Sequence, residues 1–459
     1  MYLINQIFKE IVRKSKGKKT QRRRRRTEEE DMISVHEELV ANILTKLPLG
    51  SIIRFKLVCK AWRSLIESDF FRHLLHKGNA NSTSPYWSIL HTDICLYDSR
   101  MDDELELNFP HESHGNNWSF KSMRHHHHMD VDDRSKIRVV SCADGLVLLR
   151  HESSNESIRY YIGNPVLSQW TLLPPPPVLP GDRYYDSGLV TRMHNGVILG
   201  YKVVRLHKNI QRTDNPNPRT LSFEMYSSDT GEWSYKQVSC PGHNPELVIQ
   251  YNPITLNGKL YWHAEGMDDG IVVYDFFSDD DDQATSIRLP DRMQRFHPDH
   301  SDASRCFDFC MCPCYKMICS TSQGFFVFIE AGRMTGKEEG YNVKVWRLMI
   351  KSTDDHSWEW ETAWEINMAS IGIGFESVPM AINNFDVDII YLWSLQHRRY
   401  VAYNVRTQTK YLGPSNRDGP AANEMYLPCD ISACFYPRNT LTQFVLSLQE
   451  VPKMFSKCS

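Results

Sequence analysis

A short turn signal, Asp, Asn or Gln followed by Gly at the head of an apolar run, recurs along this chain. It reads Asp144-Gly145-Leu146-Val147-Leu148-Leu149, Asn195-Gly196-Val197-Ile198-Leu199, Asn257-Gly258-Lys259-Leu260-Tyr261-Trp262 and Gln323-Gly324-Phe325-Phe326-Val327-Phe328. Such pairs ahead of β-branched and aromatic residues predict a tight turn feeding a strand. The series steps from 144 to 195, 257 and 323, intervals of 51, 62 and 66 residues, and Asn384 to Trp393 is a looser fifth member. A degenerate β repeat of that size, with insertions in its loops, is the pattern of propeller blades.

A second series interleaves with the first, an aromatic strand breaking into a polar turn. Its members are Tyr161-Ile162-Gly163-Asn164-Pro165, Tyr226 to Gly231, Tyr274-Asp275-Phe276, Val345-Trp346-Arg347 and Tyr403-Asn404-Val405. Trp170 and Trp233 close two of these units, and Leu173-Pro174 and Leu289-Pro290 follow others. Leu221, Phe223 and Met225 alternate with polar neighbours, as do Tyr341, Val343 and Val345, which adds the period of a strand. The region, residues 137–450, has room for about five to seven blades. A large irregular β-sandwich stays open as the alternative.

Residues 32–77 have a different character. Leu39, Val40, Ile43, Leu44 and Leu47 form one apolar helical stripe, with Ser34 placed to cap it and Pro48 and Gly50 to end it. Phe55, Val58, Cys59, Trp62, Leu65 and Ile66 make a second stripe, with Arg54, Lys56, Lys60 and Arg63 as a basic outer face. Phe70, Phe71, Leu74 and Leu75 predict one more turn or two. A helical unit this small has little core of its own and calls for a partner over its remaining apolar surface. The expected fold class is therefore multidomain, a small N-terminal helical module followed by an all-β propeller-like domain.

Two stretches fall outside both patterns. Residues 1–31 pack Arg13, Lys14, Lys16, Lys18, Lys19 and Arg22 to Arg26 ahead of Glu28 to Asp31, and such like-charge blocks predict a disordered leader. It is either a nuclear-localisation or nucleic-acid patch or a solvated leader. Residues 78–136 are expected to be a linker with a polar insertion, rich in Asp, His and Asn and carrying His125 to His128. The whole chain, 459 residues, has a formal net charge of -3, which disfavours a globally basic nucleic-acid binder. No window approaches a transmembrane span, and the basic block follows the first apolar residues, the wrong order for a secretory signal. The twelve cysteines then read as reduced thiols in a nuclear or cytoplasmic protein.

Catalytic motifs are near misses. Gly332 to Glu338 lacks one residue between its glycines for a phosphate loop, and Glu338 stands where Ser or Thr would hold magnesium. Gly372-Ile373-Gly374 lacks its third glycine, His111-Glu112-Ser113-His114 has the wrong zinc spacing, and no Gly-x-Ser-x-Gly elbow occurs. Cys306, Cys310, Cys312, Cys314 and Cys319 could supply thiolates to zinc, but their spacing departs from paired knuckles, and packing is the favoured reading. His125 to His128 and Asp279 to Asp282 read as a solvated loop and a charged turn, so no cofactor and no metal site are expected.

The helical unit resembles the F-box. The likeness rests on Glu38-Leu39-Val40, Ile43-Leu44, Leu47-Pro48, Ser51, Arg54-Phe55, Val58-Cys59-Lys60, Trp62 to Ile66 and Phe70 or Phe71. The β region is similar to the F-box-associated, kelch-like propeller domain of plant F-box proteins. Ser141-Cys142, Gly145-Leu146, Tyr161-Ile162, Asn164-Pro165, Gln169-Trp170, Leu173-Pro174, Asn257-Gly258, Leu260 to Trp262 and Tyr274 to Phe276 carry that likeness. The resemblance implies a non-catalytic substrate receptor of an SCF-type cullin ubiquitin ligase. In that role the helical module docks a Skp-type adaptor, and through it a cullin, while the β domain holds the protein to be ubiquitinated.

Adaptor-contacting residues implied in this way are Leu39, Ile43, Leu44, Leu47, Pro48, Val58 and Trp62, some of which must instead form the module's own core. One departure stands out: the family opens with Leu-Pro where this chain has Val35-His36, which removes the rigid turn that Pro supplies. Two other readings stay open at this level. One is a metal- or ligand-binding propeller resting on Cys306 to Cys319; the other is a nuclear or RNA-associated protein led by the basic leader.

Overall fold

A computed structural model describes residues 38–47, 49–80, 87–91, 136–152, 158–177, 186–207, 220–240, 253–264, 270–278, 283–290, 315–334, 340–352, 357–371, 377–394, 399–412, 441–445 and 448–452. The leader, His125 to His128, Asp279 to Asp282 and Cys306 to Cys314 lie outside them. The chain divides into two compact units, Met1–Leu75 and His76–Ser459.

The described N-terminal residues are helical: α1 over 38–44, α2 Leu49–Phe55, α3 Lys60–Glu67 and α4 Asp69–Ala80, which runs five residues past the unit boundary. The stripe from Phe55 to Ile66, which the period alone reads as one series, is cut between α2 and α3. The last turn of α2 tightens, with the amides of Lys56, Leu57 and Val58 donating three residues back to Ile53, Arg54 and Phe55. Cys59 then caps α3, its Sγ accepting from the Trp62 amide at 3.5 Å. The final helix is longer than the turn or two expected from its apolar residues, running twelve residues. Ser68 joins α3 to α4, donating its hydroxyl to Leu65 O at 2.6 Å and accepting from the Phe71 amide at 3.2 Å.

Among its described residues, the second unit is five four-stranded antiparallel sheets and one two-stranded sheet, each four-stranded sheet a simple meander. Blade 1 is β2 Lys136–Ala143, β3 Leu146–Glu152, β4 Ile158–Asn164 and β5 Gln169–Leu172. Blade 2 is β6 Asp186–His194, β7 Val197–His207, β8 Thr220–Ser227 and β9 Glu232–Ser239. Blade 3 is β10 Ile254–Leu256, β11 Lys259–Ala264, β12 Gly270–Asp275 and β13 Thr285–Arg288. Blade 4 is β14 Tyr315–Ser322, β15 Phe325–Met334, β16 Gly340–Ser352 and β17 Ser357–Asn367. Blade 5 is β18 Ser377–Ile382, β19 Ile389–Ser394, β20 Arg399–Asn404 and β21 Thr409–Leu412.

The Gly-led series falls on the turn between the first and second strands of blades 1 to 4. Asp144, Asn195, Asn257 and Gln323 have φ of 47°, 49°, 51° and 53°, and the glycine after each is also left-handed. Two consecutive left-handed residues make the hairpin turn whose twist matches that of strands, which is why Asn-Gly and Asp-Gly recur there. Blade 5 replaces it with a longer loop held by Asn383, whose Oδ1 accepts from the amides of Phe385 (2.8 Å) and Asp386 (3.1 Å).

The second series is the turn from third to fourth strand. Asn164, Ser227, Asp275 and Asn404 each accept an amide two or three residues on, at 2.8 to 3.3 Å. Val345-Trp346-Arg347 is a correction: it lies within β16 at a bulge, not in a turn. It has the aromatic of the series but no Asn, Asp or Ser to fold the backbone back.

Each blade is buried on both faces, so its middle strands read as continuous apolar runs. In β15, Phe326 and Phe328 pack with Tyr261, Ile271 and Val273 of blade 3, while Val327, Ile329 and Ala331 pack with Ile382, Ile390 and Val401 of blade 5. Blades 1 and 2 meet through Leu148, Tyr160, Leu189 and Tyr226, and blades 2 and 3 through Phe223, Trp262 and Tyr274. Tryptophans on outer strands tie neighbours together: the indole N–H of Trp233 donates to Pro174 O, Trp360 to Arg288 O and Trp364 to Val387 O, at 2.8 to 2.9 Å.

The sixth sheet departs from the sequence expectation. Trp87–His91, inside the stretch expected to be linker, is strand β1 and pairs antiparallel with β22, Leu441–Val445. Its five residues have no local hairpin partner, so nothing nearby in sequence marks them as a strand. β22 also lies beside β2. The two ends of the domain are thereby joined beside blade 1.

Candidate docking site

The helical unit sorts its apolar residues into two sets. Ala41, Leu44, Ile52, Trp62, Ile66, Phe71 and Leu75 are buried among the helices. Phe55 meets Trp62 edge-on with ring centroids 4.9 Å apart. A second set is exposed: Leu39 57%, Ile43 52%, Leu57 81%, Val58 56% and Phe70 48%. Scattered exposed leucines are ordinary on a protein surface, but five large apolar side chains in water are many for a unit of a few dozen residues.

Of the residues implied by resemblance, Leu39, Ile43 and Val58 are therefore presented to solvent. Leu44 and Trp62 are core residues, Leu47 is half-buried, and Pro48 lies outside the described residues. Leu39 and Ile43 are four apart on α1 and so share one face. Leu57 carries no signal in the sequence because it sits between the stripe positions Phe55 and Val58. The tightened end of α2 turns it outward. The basic face is partly spent internally, since Lys56 and Arg63 both reach Glu67, at 3.5 and 3.7 Å.

The β unit holds its ionisable groups differently. Arg205 and Glu224 are directly opposite on β7 and β8, both almost fully buried, with Nη1 and Oε2 2.6 Å apart. The guanidinium carbon lies 5.8 Å from the ring centres of Tyr160 and Trp233. Burial pushes the phenols of Tyr201, Tyr226, Tyr391 and Tyr403 up, and that of Tyr261 up to about 12. These tyrosines stay neutral and serve as packing and hydrogen-bonding groups, as where Tyr391 Oη accepts from Asn383 Nδ2 at 2.6 Å.

Among the described residues, no group of three or more His, Cys, Asp or Glu is placed to hold a metal ion. Cys319, the described member of the cysteine run, packs on the seam between blades 3 and 4. No described helix is long and apolar enough to cross a membrane.

A small helical module with exposed apolar residues, followed in the chain by a β-propeller, is the arrangement of propeller-bearing F-box proteins. The F-box domain model matches residues 34–74, and the model described as "F-box protein At3g26010-like, beta-propeller" matches residues 86–444. The chain belongs to that At3g26010-like F-box propeller family. Among similar proteins of Arabidopsis thaliana, F-box protein At3g26010 is 35% identical, covering 84% of this chain and 81% of the relative. Putative F-box protein At3g23950 is 30% identical over 84% of this chain and 86% of its own length. F-box protein At3g28330 is 33% identical over 80% and 82%. The propeller match begins and ends at the β1–β22 pair.

Proposed function

We propose that this chain is a non-catalytic substrate receptor of an SCF-type cullin ubiquitin ligase. In this reading the helical unit docks a Skp-type adaptor, which links it to the cullin, and the propeller holds a target protein for ubiquitination. The observation that supports it most directly is the exposure of Leu39, Ile43, Leu57 and Val58 on a unit that matches the F-box domain. An apolar face that the folded unit leaves in water gains stability when a partner covers it. Val35-His36, outside the described residues, replaces the usual opening Leu-Pro without touching any of these four side chains' identities.

The test is a pull-down of the purified full chain with a Skp-type adaptor, beside an Ile43→Asp, Val58→Asp double variant. Capture of the wild type and its loss in a variant with unchanged circular dichroism is the expected result. A wild-type chain that fails to bind the adaptor would overturn the reading.

A further inference from the structure

Residues 448–452 lie against the propeller. Leu448 and Gln449 are each only 3% exposed, and Gln449 is threaded between a turn of blade 1 and the hairpin of blade 2. Its backbone carbonyl accepts from Asn164 Nδ2 at 2.7 Å. Its side chain works on the other blade: Oε1 accepts from the Ile198 amide at 3.4 Å, and Nε2 donates to Gly196 O. Two residues on, the Val451 amide donates to Gln169 Oε1 at 3.3 Å, and Val451 packs on the cluster of Leu146, Tyr160 and Leu189.

Asn164 makes this arrangement informative. It is fully buried, and its Oδ1 already holds the turn by accepting from Val166 and Leu167. Its amide nitrogen is thus committed to the strap while its oxygen is committed to the blade. Polar groups as buried as these are costly to leave unmatched, so this seam is matched to a segment more than 250 residues away in sequence.

We propose that residues 448–452 are a latch, a segment that seats across blades 1 and 2 and locks the edge of that seam. Undocking it opens the edge of the blade 1–blade 2 seam locally and leaves closed the seams between blades 2 and 3, 3 and 4, and 4 and 5, to which, among the described residues, it adds no contact. The inference is independent of the ligase reading.

Hydrogen exchange on the full chain tests it. In Gln449→Ala the Ile198 amide should exchange about tenfold faster or more, with amides in β15 and β16 unchanged. A chain ending at Val445 should show the same local loss, and a synthetic peptide of residues 446–454 added in trans should restore protection of Ile198. Unchanged exchange at Ile198 in Gln449→Ala overturns the proposal, as does acceleration spread evenly over all five blades. Should the shortened chain not fold, Gln449→Ala decides alone.

Discussion

The helical unit and the propeller treat the same kind of residue in opposite ways. In the propeller, every blade has a neighbour, so even polar groups such as Arg205, Glu224 and Ser222 end up buried between sheets. In the helical unit, four short helices have one small core between them, and Leu39, Ile43, Leu57, Val58 and Phe70 are left in water. A repeat architecture supplies its own partners by stacking, whereas a single small module has too little core to cover all its apolar residues. The fold's size thus separates a unit that covers its own apolar surface from one that leaves part of it in water.

That contrast can be broken from either side. Trp62→Ala removes the largest side chain from the helical core and should cost about 3–5 kcal/mol, enough to unfold so small a unit. Circular dichroism of the isolated 32–80 segment and of the full chain would show helix lost and strand kept. Helix signal retained at wild-type stability would mean that Trp62 is not a core residue. In the propeller, Glu224→Ala strands the Arg205 guanidinium in the blade and should cost about 3 kcal/mol or more. Chemical denaturation followed by tryptophan fluorescence measures it, and adaptor capture under native conditions should persist. Ile43→Asp should do the reverse, leaving the denaturation midpoint unchanged while weakening adaptor binding by about 2 kcal/mol, roughly thirtyfold, in titration calorimetry.

The two regions also differ in how much of them can be read from sequence. Hairpin turns are legible because left-handed backbone favours Asn, Asp and above all Gly, and the four Gly-led signals fall on four such turns. Val345-Trp346-Arg347 imitates the second series in composition but lacks a side chain that caps a turn, and it stays within a strand. The β1–β22 pair and the Gln449 strap are opaque because their partners lie hundreds of residues away, where no local period reaches. In the helical unit, helical spacing identifies Leu39, Ile43, Leu44 and Trp62 as apolar positions. It cannot say which side of a small bundle each faces, and the outward Leu57 depends on a tightened helix end that no period encodes.

The smallest effect tests the turn logic itself. The turns from third to fourth strand end on a left-handed residue, Ser168 in blade 1, Gly231 in blade 2 and Gln408 in blade 5, with φ of 54°, 72° and 56°. Glutamine has no short side-chain oxygen to support that conformation, whereas asparagine tolerates it and, unlike glycine, adds little freedom to the unfolded chain. Gln408 is exposed, so the exchange removes no packing. Gln408→Asn should therefore raise stability by roughly 0.5 kcal/mol, seen as a small upward shift of the propeller's denaturation midpoint with an unchanged slope. Because the helical unit shares no residue of this turn, its adaptor affinity should not move. A midpoint that falls would mean that Gln408 contributes a contact outweighing its backbone strain. The repeat would then be held at blade 5 by side chains where blade 2 relies on glycine.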